Sequence, residues 1–196
     1  MTQTATPTRQ LCECIAATTY DALDRETIAK VTEAIVDGVA VGIAGCRQKP
    51  VSILADYASS VGNTREASLW GRGIKVSAAS AALVNAAATH VLDYEPMSSP
   101  STHAVSPVLP VAFALAETHG LTGRKVVTAC AKGFEIQHRL LYATAEPVRR
   151  ERRFHWPLEH LLTLVADLGN QVRAFLLDAT DFAAKQLHCA TQTLSL

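Results

Sequence analysis

Three residues able to move or hold protons fall close together: His90, Asp93 and His103. His90 and Asp93 are three apart, which puts them on one face at the end of a helix. His103 follows ten residues later, across a loop marked by Pro96 and Pro100. An imidazole titrates near neutral pH, so it can serve as general acid or base, and a nearby carboxylate can orient it. A structural role is open for each. His90 could complement a helix dipole, Asp93 could cap a turn at Ser98-Ser99, and His103 could hydrogen-bond the loop. The same three could supply three metal ligands. No HExxH accompanies them and nothing in the sequence sets their relative geometry, so no metal is expected. His155 stands just after the cluster Arg149-Arg150-Glu151-Arg152-Arg153. It could join a pocket, and the arginines could steer an anion, although such a run also makes an ordinary solvated face. No Ser-His-Asp or Cys-His arrangement can be assembled, and Gly71-Arg72-Gly73 lacks the third glycine of a dinucleotide loop.

These residues need helices to position them. Asp24 is a plausible N-cap, and Ile28, Val31, Ile35 and Val39 recur at helical spacing out to about Gly45. Gly38, Gly42 and Gly45 lie on or near one face of that helix, as close helix packing requires. Pro50 opens a helix over about Val51–Val61, ended by a left-handed stop at Gly62-Asn63. Glu66–Trp70 reads as a short extended piece. Ser77 caps an Ala-rich helix through Leu92. A loop over Glu95–Ser106 leads to a helix with Pro107 and Pro110 in its first turns, reaching His119. Val126–Tyr142 is another helix, with Pro147 beyond its end. Leu158–Leu177 is a Leu-rich amphipathic helix, and Ala190–Leu196 reads as a frayed end.

Composition agrees with this pattern. Apolar residues make up 48% of the 196 and aromatics 6%, and alanines number 32. An alanine-rich, aromatic-poor chain favours closely packed helices, so an all-α fold of about six helices is expected. Formal net charge is +0, which lacks the basic footprint of a nucleic-acid binder and argues against recruitment to a charged membrane surface. The longest apolar stretches are too short to span a bilayer. Five irregularly spaced cysteines, with Cys12 and Cys14 as CxC, suit reduced thiols rather than a disulfide framework. A cytoplasmic location is expected, with a mitochondrial one left open because the first acid is Glu13.

The motifs taken in order resemble the MmgE/PrpD family, which contains 2-methylcitrate dehydratase and cis-aconitate decarboxylase. Ala34–Gly42 is similar to its first core helix. Glu66–Gly71 and Ala81–Tyr94 are similar to its most recognisable segment, and His103–Pro110 and Gly123–Glu135 follow in the same order. Each motif is weak alone; the unbroken order from about Leu11 to Leu141 carries the resemblance. It implies a helical first domain, a smaller α/β second domain with the active site between them, and cofactor-independent lyase chemistry on tricarboxylate-like acids. It implies that Asp93 and His103 line the site and that Phe154-His155 supplies a further histidine. His103 is then the candidate acid/base, tuned by Asp93, with His155 holding a carboxylate or relaying a proton. His90 and Met97 are candidates for touching substrate.

The chain departs from the family in three places. Glu95-Pro96-Met97 stands where the family has Asp-Asp-Thr, so a thioether replaces a hydroxyl donor. Trp156-Pro157-Leu158-Glu159-His160 replaces a Thr/Gly/Ala-rich continuation. The family's chains are more than twice as long. The expected organisation is an arm over 1–10, a family-like helical domain over 11–155 and a divergent helical tail over 156–196. The expected protein is a truncated lyase with little activity alone, taking a small carboxylic acid if active and forming a homodimer or other homo-oligomer. The competing expectation is a non-catalytic helical module for interaction or oligomerisation.

Overall fold

In the computed structural model, the described residues are 7–98 and 102–151. They form six α-helices and one two-stranded hairpin: α1 (Pro7–Ala17), α2 (Arg25–Gly45), α3 (Lys49–Ser60), β1 (Ala67–Leu69), β2 (Ile74–Val76), α4 (Ala78–His90), α5 (Val105–His119) and α6 (Gly123–Glu151). The fold is all-α, as the composition and periodicity predict.

The helix starts follow from local chemistry. Asp24 accepts the Thr27 N–H at 2.6 Å, which also holds its carboxyl below the usual range. Ser77 accepts the Ser80 N–H at 3.3 Å and opens α4. Helix α3 ends without the left-handed stop expected at Gly62-Asn63. Val61 caps it with a φ of −90°, and the left-handed residues of the region are Gly71 and Gly73, not Gly62-Asn63. Those two glycines, both at φ +67°, turn β1 back onto β2 in antiparallel pairing, Ala67 opposite Val76. The second strand is too short and too exposed to leave a period-2 signal. At the other end, α6 passes through Pro147 to Glu151. A proline removes one helical hydrogen bond and need not end a long helix. The amphipathic helix read over Leu158–Leu177, the frayed end and His155 lie outside the described residues.

Two apolar clusters hold the helices together. One joins α2, α5 and α6 around Val31, Val105, Val108, Leu109 and Cys130. The other joins α3, the hairpin and α4 around Val51, Leu69, Val76 and Val84. Helix α4 sits centrally against α2, α3 and α5. The α2 glycines permit that closeness. A Cβ on Gly42 would meet Trp70 at 2.7 Å and Thr89 Oγ1 at 2.9 Å, and one on Gly45 would overlap the Ala88 carbonyl. Buried Asn85 fastens the hairpin to α4: its Oδ1 accepts the Trp70 N–H and its Nδ2 donates to the Ser68 carbonyl. The result is a firm support for the α4–α5 connection, where the candidate residues lie.

Candidate functional site: a buried carboxylate between two histidines

The connection from α4 to α5 turns sharply at its start. Asp93 takes a left-handed backbone, φ +55°, and its N–H donates to the His90 carbonyl at 2.9 Å. Aspartate is among the few residues that tolerate this conformation at modest cost. The turn sends Glu95 inward. Its side chain is 0% exposed, between the C-terminus of α4 and the N-terminus of α5.

Helix chemistry explains why a carboxylate settles there. The first turn of α5 presents unpaired N–H groups, and its cap residue, Ala104, has no side chain that could accept one. Pro107 has no N–H to satisfy. Glu95 Oε2 accepts the Ser106 N–H at 2.6 Å, capping α5 from a residue outside the helix. The other oxygen, Oε1, lies 2.8 Å from His90 Nδ1 and 3.2 Å from His103 Nδ1. A buried carboxylate needs this company, since an uncompensated charge in the interior is costly.

His103 is held from both sides. Its backbone pairs with Met97 in an isolated antiparallel bridge, and its ring meets the His90 ring edge-on, with centroids 4.6 Å apart. Nδ1 is buried and faces Glu95, but is not aligned with it for a hydrogen bond. Nε2 lies 3.7 Å from Asp93 Oδ1. Asp93 is 81% exposed on its side chain and His103 29%. The nitrogen that can meet a solute is therefore Nε2, with an exposed carboxylate beside it.

Four of the five sequence candidates, His90, Asp93, Met97 and His103, come together in this connection. His155 lies outside the described residues. Met97 is 53% exposed beside His103 and is not packed into the core. The Asp93 cap of a Ser98-Ser99 turn lies partly outside the described residues; Ser98 itself bonds to the Thr102 carbonyl. Glu95 is the organising residue that sequence reasoning missed. The available signal was a carboxylate five residues after one histidine and eight before the other, next to a proline. In the sequence Glu95 stands out only as a departure from the family pattern.

Other hollows and perturbed groups lie elsewhere. A groove of about 370 Å³ between α2, α5 and α6 is lined by Ile35, Phe113, Leu121 and Val126. It is mostly apolar and holds none of the histidines. On α6, burial and then the charge of Lys125 push the Lys132 ammonium down to about 8. Burial pushes the Cys130 thiol up to about 12. Among the described residues no helix is long and apolar enough to cross a membrane.

Comparison with known proteins places this geometry in context. The MmgE/PrpD N-terminal domain matches residues 9–168, past the point where the motifs quoted above end. The chain is 30% identical to cis-aconitate decarboxylase of Homo sapiens over 145 residues, and 29% identical to that of Mus musculus over the same number. Each alignment covers 71% of this chain and 29% of the relative, so the chain spans under a third of the length of the curated relatives it matches. The chain belongs to the MmgE/PrpD family.

Proposed function

We propose that the α4–α5 connection is one wall of a lyase site for a small carboxylate-rich acid, acting by dehydration or decarboxylation. One observation carries the reading: His103 is clamped between a buried carboxylate and an exposed one, with Nε2 turned outward. Both reactions need a group that takes a proton from carbon or gives one to a leaving hydroxyl or a nascent carbanion. Nε2 of His103 is that group, and Asp93 orients and tunes it. Glu95 Oε1 stands 3.2 Å behind Nδ1, on the buried side of the ring, as a negative charge that favours the protonated imidazole. Cations to hold the substrate carboxylates are absent from this connection among the described residues. His155 is a candidate for that task, as is a second wall contributed by a further part of the protein.

Met97 bears on affinity. A hydroxyl there could donate to a carboxylate, and a charge-assisted bond contributes roughly 1.5–3 kcal/mol. Its exposed thioether offers no donor. The expected consequence is weak binding and negligible turnover of cis-aconitate or 2-methylcitrate by this chain alone. The test is direct: offer both acids to the purified chain and follow product by chromatography. Negligible turnover agrees with a site missing its second wall. A robust rate that His103→Ala abolishes overturns the incompleteness and keeps the site. A robust rate that survives His103→Ala overturns the assignment of His103.

A further inference from the structure

We propose that His90, Glu95 and His103 bind a divalent transition-metal cation, with Zn²⁺ the ion the donor set suits best. One donor atom from each residue lies within 4.8 Å of the other two. Two edges of the triangle are known: Oε1 to His90 Nδ1 at 2.8 Å and Oε1 to His103 Nδ1 at 3.2 Å. Zinc bonds of about 2.0–2.2 Å to nitrogen and oxygen place neighbouring tetrahedral donors about 3.3 Å apart. The known edges fit that figure within about half an ångström, a distance that side-chain torsions accommodate.

Two features separate this cluster from a chance meeting of polar residues. The His103 Nδ1 atom is buried, faces Glu95 and makes no hydrogen bond. A buried polar atom without a partner is uncommon and costly, and a cation at the centre of the triangle would satisfy it. The second feature is support from outside the triangle. Glu95 is anchored through its other oxygen by the Ser106 N–H, so Oε1 is held in place. The ring of His90 is 53% exposed, which leaves one side of the cluster open to water or to a solute as a fourth ligand. Two imidazoles and one carboxylate suit zinc better than magnesium or calcium, which prefer all-oxygen sites.

Occupancy would change what His103 can do. A cation on Nδ1 leaves the proton on Nε2, so the ring could donate a proton there but not accept one. This consequence rests on the role proposed for His103, whereas the binding does not. The two are therefore separable by experiment.

The exposed Cys12 and Cys14 are competing soft ligands, so the test uses the full chain carrying Cys12→Ser and Cys14→Ser. Co²⁺ is added first and read by its visible d–d absorption, and Zn²⁺ is then titrated by calorimetry. One equivalent should bind, without thiolate charge-transfer absorption. His90→Ala, His103→Ala and Glu95→Gln should each weaken Zn²⁺ by at least about tenfold. His119→Ala and His138→Ala should leave it unchanged. His90→Ala removes a largely exposed ring, so it reports on binding even where Glu95→Gln disturbs folding. The proposal is overturned by an absence of binding at about 1 mM Zn²⁺, or by binding that His90→Ala and His103→Ala leave intact. Because the readout is binding, a negative result leaves the lyase reading untouched, and a lack of turnover leaves the cation site untouched.

Discussion

Replacing Glu95 with alanine should destabilise the protein far more than replacing Asp93, although both are carboxylates in the same connection. Glu95 is fully buried on its side chain and joins two helix ends. Its removal leaves the Ser106 N–H without its 2.6 Å acceptor and His90 Nδ1 without its 2.8 Å partner. A hydrogen bond to a charged group contributes roughly 1.5–3 kcal/mol, and breaking a buried charged cluster typically costs about 3–5 kcal/mol. The larger figure applies, because two partners and a small cavity are left behind together. For a domain of this size, about 3–5 kcal/mol corresponds to a fall in Tm of roughly 6–20 °C. Glu95→Gln keeps the shape and one acceptor, so its cost should be smaller, about 1–2 kcal/mol. Asp93→Ala removes a largely exposed side chain, so its cost should be limited to about 1 kcal/mol for holding alanine at the left-handed φ of +55°. Urea denaturation followed by circular dichroism measures all three. An Glu95→Ala protein within about 0.5 kcal/mol of the parent would refute the view that this carboxylate organises the loop.

Three further outcomes are expected. Gly45→Ala should destabilise by about 1–3 kcal/mol despite its gain in helix propensity, since the new Cβ overlaps the Ala88 carbonyl; Gly123→Ala, with open space around it, should be neutral or slightly stabilising by the same denaturation assay. Lys132 has a folded pKa lowered to about 8 from 10.5, so between those values the unfolded chain binds the extra proton. Stability should therefore rise with pH across that window, by about 2–3 kcal/mol relative to Lys132→Met; equal pH slopes for the two proteins would contradict this. Iodoacetamide should modify Cys12 and Cys14 rapidly and Cys130 only as the chain opens, because burial holds its thiol at about 12; peptide mapping of a short labelling pulse reads this.

Much of the scaffold was legible because its signals are local. Asp24 and Ser77 announce helix starts through side-chain chemistry that needs no tertiary information. The three glycines of α2 announce close packing, and the structure supplies the neighbours they admit: Val105, Trp70 and Ala88. The misses have a common physical cause. The left-handed turn that closes β1 onto β2 lies at Gly71 and Gly73, and a strand of three residues is too short for periodicity to reveal. The site shows the same contrast. His90, Asp93 and His103 stand out by residue type, and their order within a family pattern adds weight. Glu95 acts through burial and through an N–H eleven residues away, which no spacing rule encodes. Its place in the sequence reads as a simple substitution; its place in space is the centre of the cluster.

A carboxylate-rich acid should meet the protein at the connection between α4 and α5. Titrating cis-aconitate into the ¹⁵N-labelled chain, with backbone amide shifts assigned, tests it most directly. Weak, saturable shifts confined to His90, Asp93, Met97 and His103–Ser106 are expected, and they should be lost in His103→Ala. Shifts that gather instead around Ile35, Phe113 and Leu121, or that persist unchanged in His103→Ala, would contradict it.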